Sequence, residues 1–303
     1  MLARNIILTI TSLILIYYYY WNHLDFYKQI LINSRIPDYT RWILSDKYIA
    51  KRYAALNGFK VPQTYQLVRY PQELRDIPDT CVIKPVDLCD NEAVFLIKNN
   101  IEIRSGKRFS LEKTVATLLK TRAQIYNEFY MHIDMYDGLV PFTGYIVEEL
   151  LLDENGDPPC DYKCYTFGGT IFFIAVTYNR KKENGVQTFD VVWLDRDWNP
   201  VRTPMLQKGY KYQQLSKPKG FDRMIQLVEA MGRKFERHCR IDVYLIGGEV
   251  YLGEFTFFTG ARLHTVAANV QLGMLWKLFP DNYFALDERL FDIVPKFYND
   301  PYL

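Results

Sequence analysis

The sequence predicts an α+β fold built on antiparallel sheets. Three observations point there. Arg240 to Ala261, RIDVYLIGGEVYLGEFTFFTGA, holds two runs of Val, Ile, Tyr and Phe around Gly247-Gly248, the pattern of a β-hairpin. Asp161 to Phe167 and Thr170 to Tyr178 form a second such pair, joined at Gly168-Gly169. Helical periodicity, as in Leu111 to Tyr130 and Phe221 to His238, occurs as isolated helices that alternate with the strands.

In chain order, Ile6 to Trp21 is an uncharged run of sixteen residues, just under the roughly 17–25 of a spanning helix. Tyrosines and Trp21 at its end suit a membrane–water interface, and no small-x-small cleavage site follows the apolar core. The expectation is a transmembrane anchor over residues 1–24. Asp25 to Asn57 is helical, with Ser45-Asp46-Lys47 placed to cap a second helix that Asn57-Gly58 ends. Thr64 to Val68 reads as a strand, Gln72 to Arg75 as a short helix, and Cys81 to Pro85 as a buried strand delivering Lys84 at its end. Ala93 to Ile103 alternates as further strands before the helix Leu111 to Tyr130. Gly144 to Leu151 is a strand containing Glu148 and Glu149, and a polar loop, Arg180 to Gln187, precedes a strand at Val191 to Leu194. After the Gly247-Gly248 hairpin, Thr265 to Phe279 is helical. A break near Tyr145 divides a helical segment plus smaller lobe, 25–144, from a larger carboxylate-bearing lobe, 145–303.

Composition removes several classes. A net charge of +2 without an arginine-rich tract argues against a nucleic-acid scaffold. Five cysteines with no CxxC pair argue against a disulfide framework or zinc site and favour a reducing compartment. None of the four histidines, His23, His132, His238 and His264, stands at ligand or triad spacing.

The hairpin carries two carboxylates, Asp242 and Glu254, inside otherwise apolar strands, where a charge is costly unless a cation meets it. With a two-residue loop at Gly247-Gly248, Asp242 pairs opposite Gly253 and Glu254 faces away. With an odd loop including Glu249, Asp242 lies opposite Glu254, and Thr256 joins the same face. Two carboxylates and a hydroxyl then form a hard-oxygen site suited to Mg²⁺ bridging nucleotide phosphates. The alternative is a half-exposed hairpin with these groups in solvent.

Asp46-Lys47, Lys84, Glu148-Glu149, Asp161-Tyr162-Lys163, Asp195 to Asn199, Lys217-Pro218 and the RIDVY…GEVYLGEFTF block, in that order, resemble the ATP-grasp fold and its TupA-like branch. The resemblance implies two α+β lobes around a cleft holding ATP and Mg²⁺, and activation of a carboxylate as an acyl phosphate for amide formation. It also implies a setting in cell-surface polysaccharide synthesis, with a glycan or amino-acid substrate. On it, Lys84 and Lys163 contact the nucleotide, the edge Glu148, Glu149, Leu150 and Leu151 reads adenine, and Asp242, Glu254 and Thr256 hold the metal. Arg180 clamps the acyl phosphate or is a solvated loop charge. Pro85 to Asn91 lacks the glycines that the family usually carries after the strand lysine, and Thr256 stands where the family generally has asparagine. Two alternatives stay open: a degenerate ATP-grasp that binds nucleotide or glycan without turnover, and phosphoryl transfer to a sugar hydroxyl. The anchor implies a single-pass membrane protein, and ATP use and unpaired cysteines favour a cytosol-facing catalytic domain held where polysaccharide is assembled.

Overall fold

The computed structural model of the chain describes residues 2–34, 39–88, 93–130, 144–183, 186–235, 238–259 and 264–279, with Arg289 and Ile293. The chain opens with four helices, α1 (Leu2–His23), α2 (Phe26–Ser34), α3 (Tyr39–Ser45) and α4 (Lys47–Ala55). α4 starts where the sequence places a cap: the Asp46 carboxylate accepts from Tyr48 N at 2.8 Å and Ile49 N at 2.9 Å.

A first sheet combines β1 (Thr64–Val68), β2 (Cys81–Pro85), β3 (Phe95–Lys98), β4 (Ile101–Glu102), β5 (Lys107–Arg108) and β6 (Tyr145–Glu148). Its order is β1-β6-β2-β3-β4-β5, antiparallel throughout. The expected helix near Gln72 is a 3₁₀ turn, Pro71–Glu73. α5 (Leu111–Tyr130) contributes Leu118 to a core with Cys81, Ile83, Ile97 and Val147.

The chain passes to the second sheet after Glu148. Its strands are β7 (Asp161–Phe167), β8 (Thr170–Glu183), β9 (Val186–Asp195), β10 (Tyr210–Lys211), β11 (Cys239–Ile246) and β12 (Glu249–Thr256), in the order β10-β9-β8-β7-β11-β12. All neighbours are antiparallel except β10 and β9. The antiparallel α+β expectation holds, with one correction: the loop expected at Arg180 to Gln187 is instead the far end of the β8–β9 ribbon, where Lys181 pairs with Thr188 and Glu183 with Val186. Polar side chains there carry no apolar period, but ladder bonds between backbones do not require one.

Both faces of the second sheet are covered. One receives α4 and α6 (Phe221–Phe235), whose Met224, Val228, Met231 and Phe235 recur at helical spacing against Ile174, Val176, Ile241 and Val243. The opposite face receives α2 and α7 (Val266–Leu278), which pack Phe26, Ile30, Leu272 and Trp276 on Tyr165, Phe167 and Trp193. The N-terminal helices thus belong to the second sheet's layers. Burying Phe26 completely is worth roughly 1.5–3 kcal/mol.

α1 forms, but among the described residues no helix is long and apolar enough to cross a membrane. The reason is its composition. The aliphatic stretch Ile6 to Ile16 rises about 16 Å at 1.5 Å per residue, and four tyrosines then replace the aliphatics, against a hydrocarbon core of about 30 Å.

Gly273 marks the tightest crossing of this layer. A Cβ there would lie 1.8 Å from the Leu24 carbonyl oxygen, so only glycine lets the segment before α2 close onto α7. Gly273→Ala is expected to lower stability by about 1–3 kcal/mol; urea unfolding with an unchanged midpoint would contradict this packing.

Candidate active site

The hairpin achieves the facing pair of carboxylates by a route neither loop alternative anticipates. Its loop is the two-residue Gly247-Gly248, with Ile246 opposite Glu249 and Val243 opposite Leu252. A β-bulge then inserts Gly253, so that Asp242 pairs with Glu254 and Arg240 with Thr256. A Cβ on Gly253 would meet the Asp242 carbonyl oxygen at 3.0 Å, which is why the bulged position suits glycine. β7 lies on the other side of β11 and sets Lys163 opposite Asp242.

These side chains share one face, away from the α4/α6 core. The Arg240 guanidinium lies where their oxygens converge. Its Nη2 donates to Asp242 Oδ2 at 2.7 Å, Glu254 Oε1 at 2.9 Å and Thr256 Oγ1 at 3.0 Å, while Nε donates to Asp242 Oδ1 at 2.6 Å. Lys163 Nζ adds contacts to Asp242 Oδ2 at 2.5 Å and Asp161 Oδ2 at 2.8 Å. Burial opposes the charge on Asp242, but Arg240 and Lys163 more than offset it and hold its carboxyl below the usual range. Burial likewise opposes the Lys163 ammonium, and Asp161 and Asp242 reverse the effect and raise it.

A second cluster faces this one from the first sheet. Glu148, at the end of β6, is 3% exposed and accepts from Lys51 of α4 and, at 2.6 Å, from Lys84 of β2. Burial pushes the Glu148 carboxyl up, but the two lysines outweigh it and bring it down to about 2. Two ammonium groups share this one carboxylate. Lys51, the more enclosed, is lowered to about 7, chiefly by burial against the pull of Glu148. Lys84 is raised, because burial is outweighed by Glu148 with help from Glu254. Lys47, one turn before Lys51, donates to the Leu88 carbonyl; burial lowers its pKa, and Glu254 is the strongest charge opposing that shift. One helix therefore carries its apolar side on the second sheet and its lysines, four residues apart, towards the first. Asp87, in the segment after Lys84, is paired with Arg122 of α5, so its charge is neutralised there.

Several expected positions are placed differently. The Glu148 backbone pairs with both Thr64 and Val82, and Glu149 N donates to Gln63 O at 2.8 Å, leaving Leu150 and Leu151 as the part of that edge outside the sheet. Arg180 lies within β8 rather than in a loop, and its side chain falls outside the described residues. Cys89 to Asn91, the rest of the glycine-free stretch, also falls outside them. The sequence assigned no site role to Arg240, Lys47, Lys51 or Asp161, although all but Lys51 stand in the motifs that carry the family resemblance. The signal for Arg240 was present: it precedes Asp242 by two positions on a strand and so shares its face.

The donor set fits a Mg²⁺ ion of the kind that completes its shell with phosphate oxygens. Among the described residues no group of three His, Cys, Asp or Glu converges, as a cage made by protein alone would require. Asp242, Glu254 and Thr256 do supply two carboxylates and a hydroxyl focused on one cationic nitrogen.

A sequence profile described as TupA-like ATPgrasp matches residues 27–271. The chain belongs to the TupA-like ATP-grasp family. No curated protein matches it. Among solved structures, it is similar to D-alanine–D-alanine ligase from Bacillus anthracis, with TM-score 0.46, 12% identity, and coverage of 78% of this chain and 66% of that one. L-amino acid ligase from Bacillus licheniformis follows at 0.47 and 14%, covering 80% and 52%. The ATP-grasp ligase PsnB, solved with precursor, Mg and ADP, gives 0.37 and 12%, covering 76% and 58%. This TupA-like chain spans less than two thirds of the length of each.

Behind the site, His238 and His264 sit in a box formed by Phe26, Tyr165, Phe167, Trp193 and Trp276. His238 Nδ1 donates to the Thr166 carbonyl at 3.0 Å. Burial lowers His238 to about 3 and His264 to about 4, with the positive charge of Arg240 adding to both shifts. Both therefore fold as neutral rings.

Two outcomes follow from these charges. Below its unfolded value of 6.5 each histidine takes up a proton on unfolding but not when folded, so stability falls as pH drops from 6.5 towards 4, by about 1.4 kcal/mol per pH unit for each ring. The Glu148 contribution, full above its unfolded 4.5, is lost separately as pH falls towards 2. Thermal melts from pH 7 to 4.5 test the first window, and His264→Phe should remove part of the slope; an identical slope would refute the assignment. Glu148→Gln should cost about 3–5 kcal/mol by stranding two buried ammonium groups, and adding Lys51→Met should restore part of it. Strict additivity in that cycle would show that the pair is not coupled.

Proposed function

We propose that this protein is an ATP-dependent carboxylate–amine ligase that acts in cell-surface glycopolymer synthesis. The observation that carries the reading is the convergence of Asp242, Glu254 and Thr256 oxygens on one cation position, with Lys84 and Lys47 in the electrostatic neighbourhood of Glu254. Membership of the TupA-like ATP-grasp family supports the use of ATP.

A bound Mg²⁺ would supply charge neutralisation at the β- and γ-phosphates. Asp242, Glu254 and Thr256 would hold it. Lys84, Lys47 and Lys163 would neutralise the remaining phosphate charge, and Leu150 and Leu151 would present backbone to the base. Arg240 would stabilise the transferring phosphoryl group, taking the role expected of Arg180. Glu148 acts through Lys84 by fixing its ammonium. In the reaction a substrate carboxylate oxygen attacks the γ-phosphorus and ADP leaves. The acceptor amine nitrogen then bonds to the acyl carbon, phosphate leaves, and the amine proton passes to solvent. The use of ATP favours a site that faces the cytosol.

The test couples binding to chemistry. Mg·ATP should raise the melting temperature of wild type but not of folded Asp242→Asn or Glu254→Gln. With a carboxylate labelled with ¹⁸O and an amine acceptor, label should enter inorganic phosphate, and either substitution should slow release by about 10²–10³-fold. Stabilisation by Mg·ATP with no carboxylate-dependent phosphate release across a broad acceptor set would favour binding without turnover. Release that depends on a sugar hydroxyl, with no ¹⁸O transfer, would favour phosphoryl transfer.

A further inference from the structure

We infer that α1, α2 and α7 form a composite membrane-contact face that lies in the plane of an anionic lipid surface. This assigns α2 and α7, beyond the N-terminal segment, to the same face, and it replaces spanning with lying.

The first support is charge. The three helices, of 22, 9 and 13 residues, contain no Asp or Glu, in a chain where 35 of 303 residues are acidic. Each carries one base, Arg4, Lys28 and Lys277. The acid nearest to them in sequence, Asp25, is buried: its carboxylate accepts from Lys28 N at 3.0 Å and Asn269 Nδ2 at 3.1 Å, so its charge is turned inwards. Basic helices without acids complement anionic headgroups.

The second support is orientation. α2 and α7 lie on the same face of the second sheet, so side chains pointing away from the sheet point the same way. Those side chains include Leu31 and Ile32 on α2, and Met274 and Leu278 on α7, with Leu278 71% exposed. α1 rests on both helices and adds exposed Ile10, Leu13, Ile14 and Ile16. Lys277 sits over the Tyr19 ring at 5.3 Å, joining the end of α1 to the end of α7. Tyr17, Tyr18 and Tyr19 are exposed there, where amphipathic rings meet headgroups. The aliphatic part of α1 is too short to span, but penetration of about 5–10 Å is what an interfacial helix requires. The inner side of α2 and α7 forms the aromatic box behind Arg240, so the lipid face lies one helix layer from the site.

The test uses the full chain and flotation with vesicles of phosphatidylcholine, with and without phosphatidylglycerol. Wild type should float with the anionic vesicles, weaken as salt rises, and be released by alkaline carbonate. Met274→Asp/Leu278→Asp should reduce binding at least tenfold while keeping the melting transition and Mg·ATP response of wild type. Undiminished binding in that variant would assign lipid contact to α1 alone and overturn the composite face. Retention after carbonate would overturn lying in favour of spanning. Absence of vesicle binding, with a dimer that the same variant dissociates, would assign the face to a second copy. Vesicle binding needs no nucleotide, so its failure is separable from failure of the ligase reading.

Discussion

Register in the β11–β12 hairpin is the constraint on which the site depends. In a regular two-residue hairpin, Asp242 would face Gly253, and Glu254 would point into the α4/α6 core beside Phe255's present neighbours. The extra residue at Gly253 shifts only the pairs beyond it. Val243 and Leu252 stay in the core, while Asp242, Glu254, Arg240 and Thr256 collect on the opposite face. The buried Asp242 carboxylate is tolerable there because Arg240 and Lys163 meet it with hydrogen bonds as well as charge, and Arg240 also reaches the half-exposed Glu254.

The two sheets are joined electrostatically as well as by chain connection. α4 buries Ile49 and Tyr53 on the second sheet and sends Lys51 to Glu148 of the first. Glu148 in turn fixes Lys84, so the lysine at the end of β2 has one direction in which to point. Across the site stand Lys47, Lys51, Lys84, Lys163 and Arg240 against Glu148, Asp161, Asp242 and Glu254. Basic groups of this density beside the carboxylates suit a polyphosphate, whose charge exceeds that of one metal ion.

The face of the second sheet that carries the site continues into the aromatic box and then into α2 and α7. Arg240 lowers the basicity of His264 through space, and His264 packs on Phe26, the first residue of α2. Stability of the helical layer and electrostatics of the site are thus linked through neutral histidines that the sequence offered no reason to pair. His238 and His264 are 26 positions apart and come together only because β11 and the start of α7 meet on one sheet face.

What the sequence determined by itself was local or periodic. Short apolar runs bounded by turn residues placed β2, β7 and the two glycine hairpins, and the 3.6-residue period placed α5 and α6, because those signals arise within each element. Asp242, Glu254 and Lys84 stood out because charge in an apolar strand demands a partner. Their partners were decided by tertiary structure. The bulge at Gly253, the approach of Lys51 to Glu148, and the placing of α3 and α4 on the second sheet each depend on residues far apart in the chain. The β8–β9 ribbon through Arg180 was hidden for a related reason: backbone pairing extends it where side chains carry no pattern. Local spacing records which way a side chain faces along its own strand, and only the packed sheets determine what it meets.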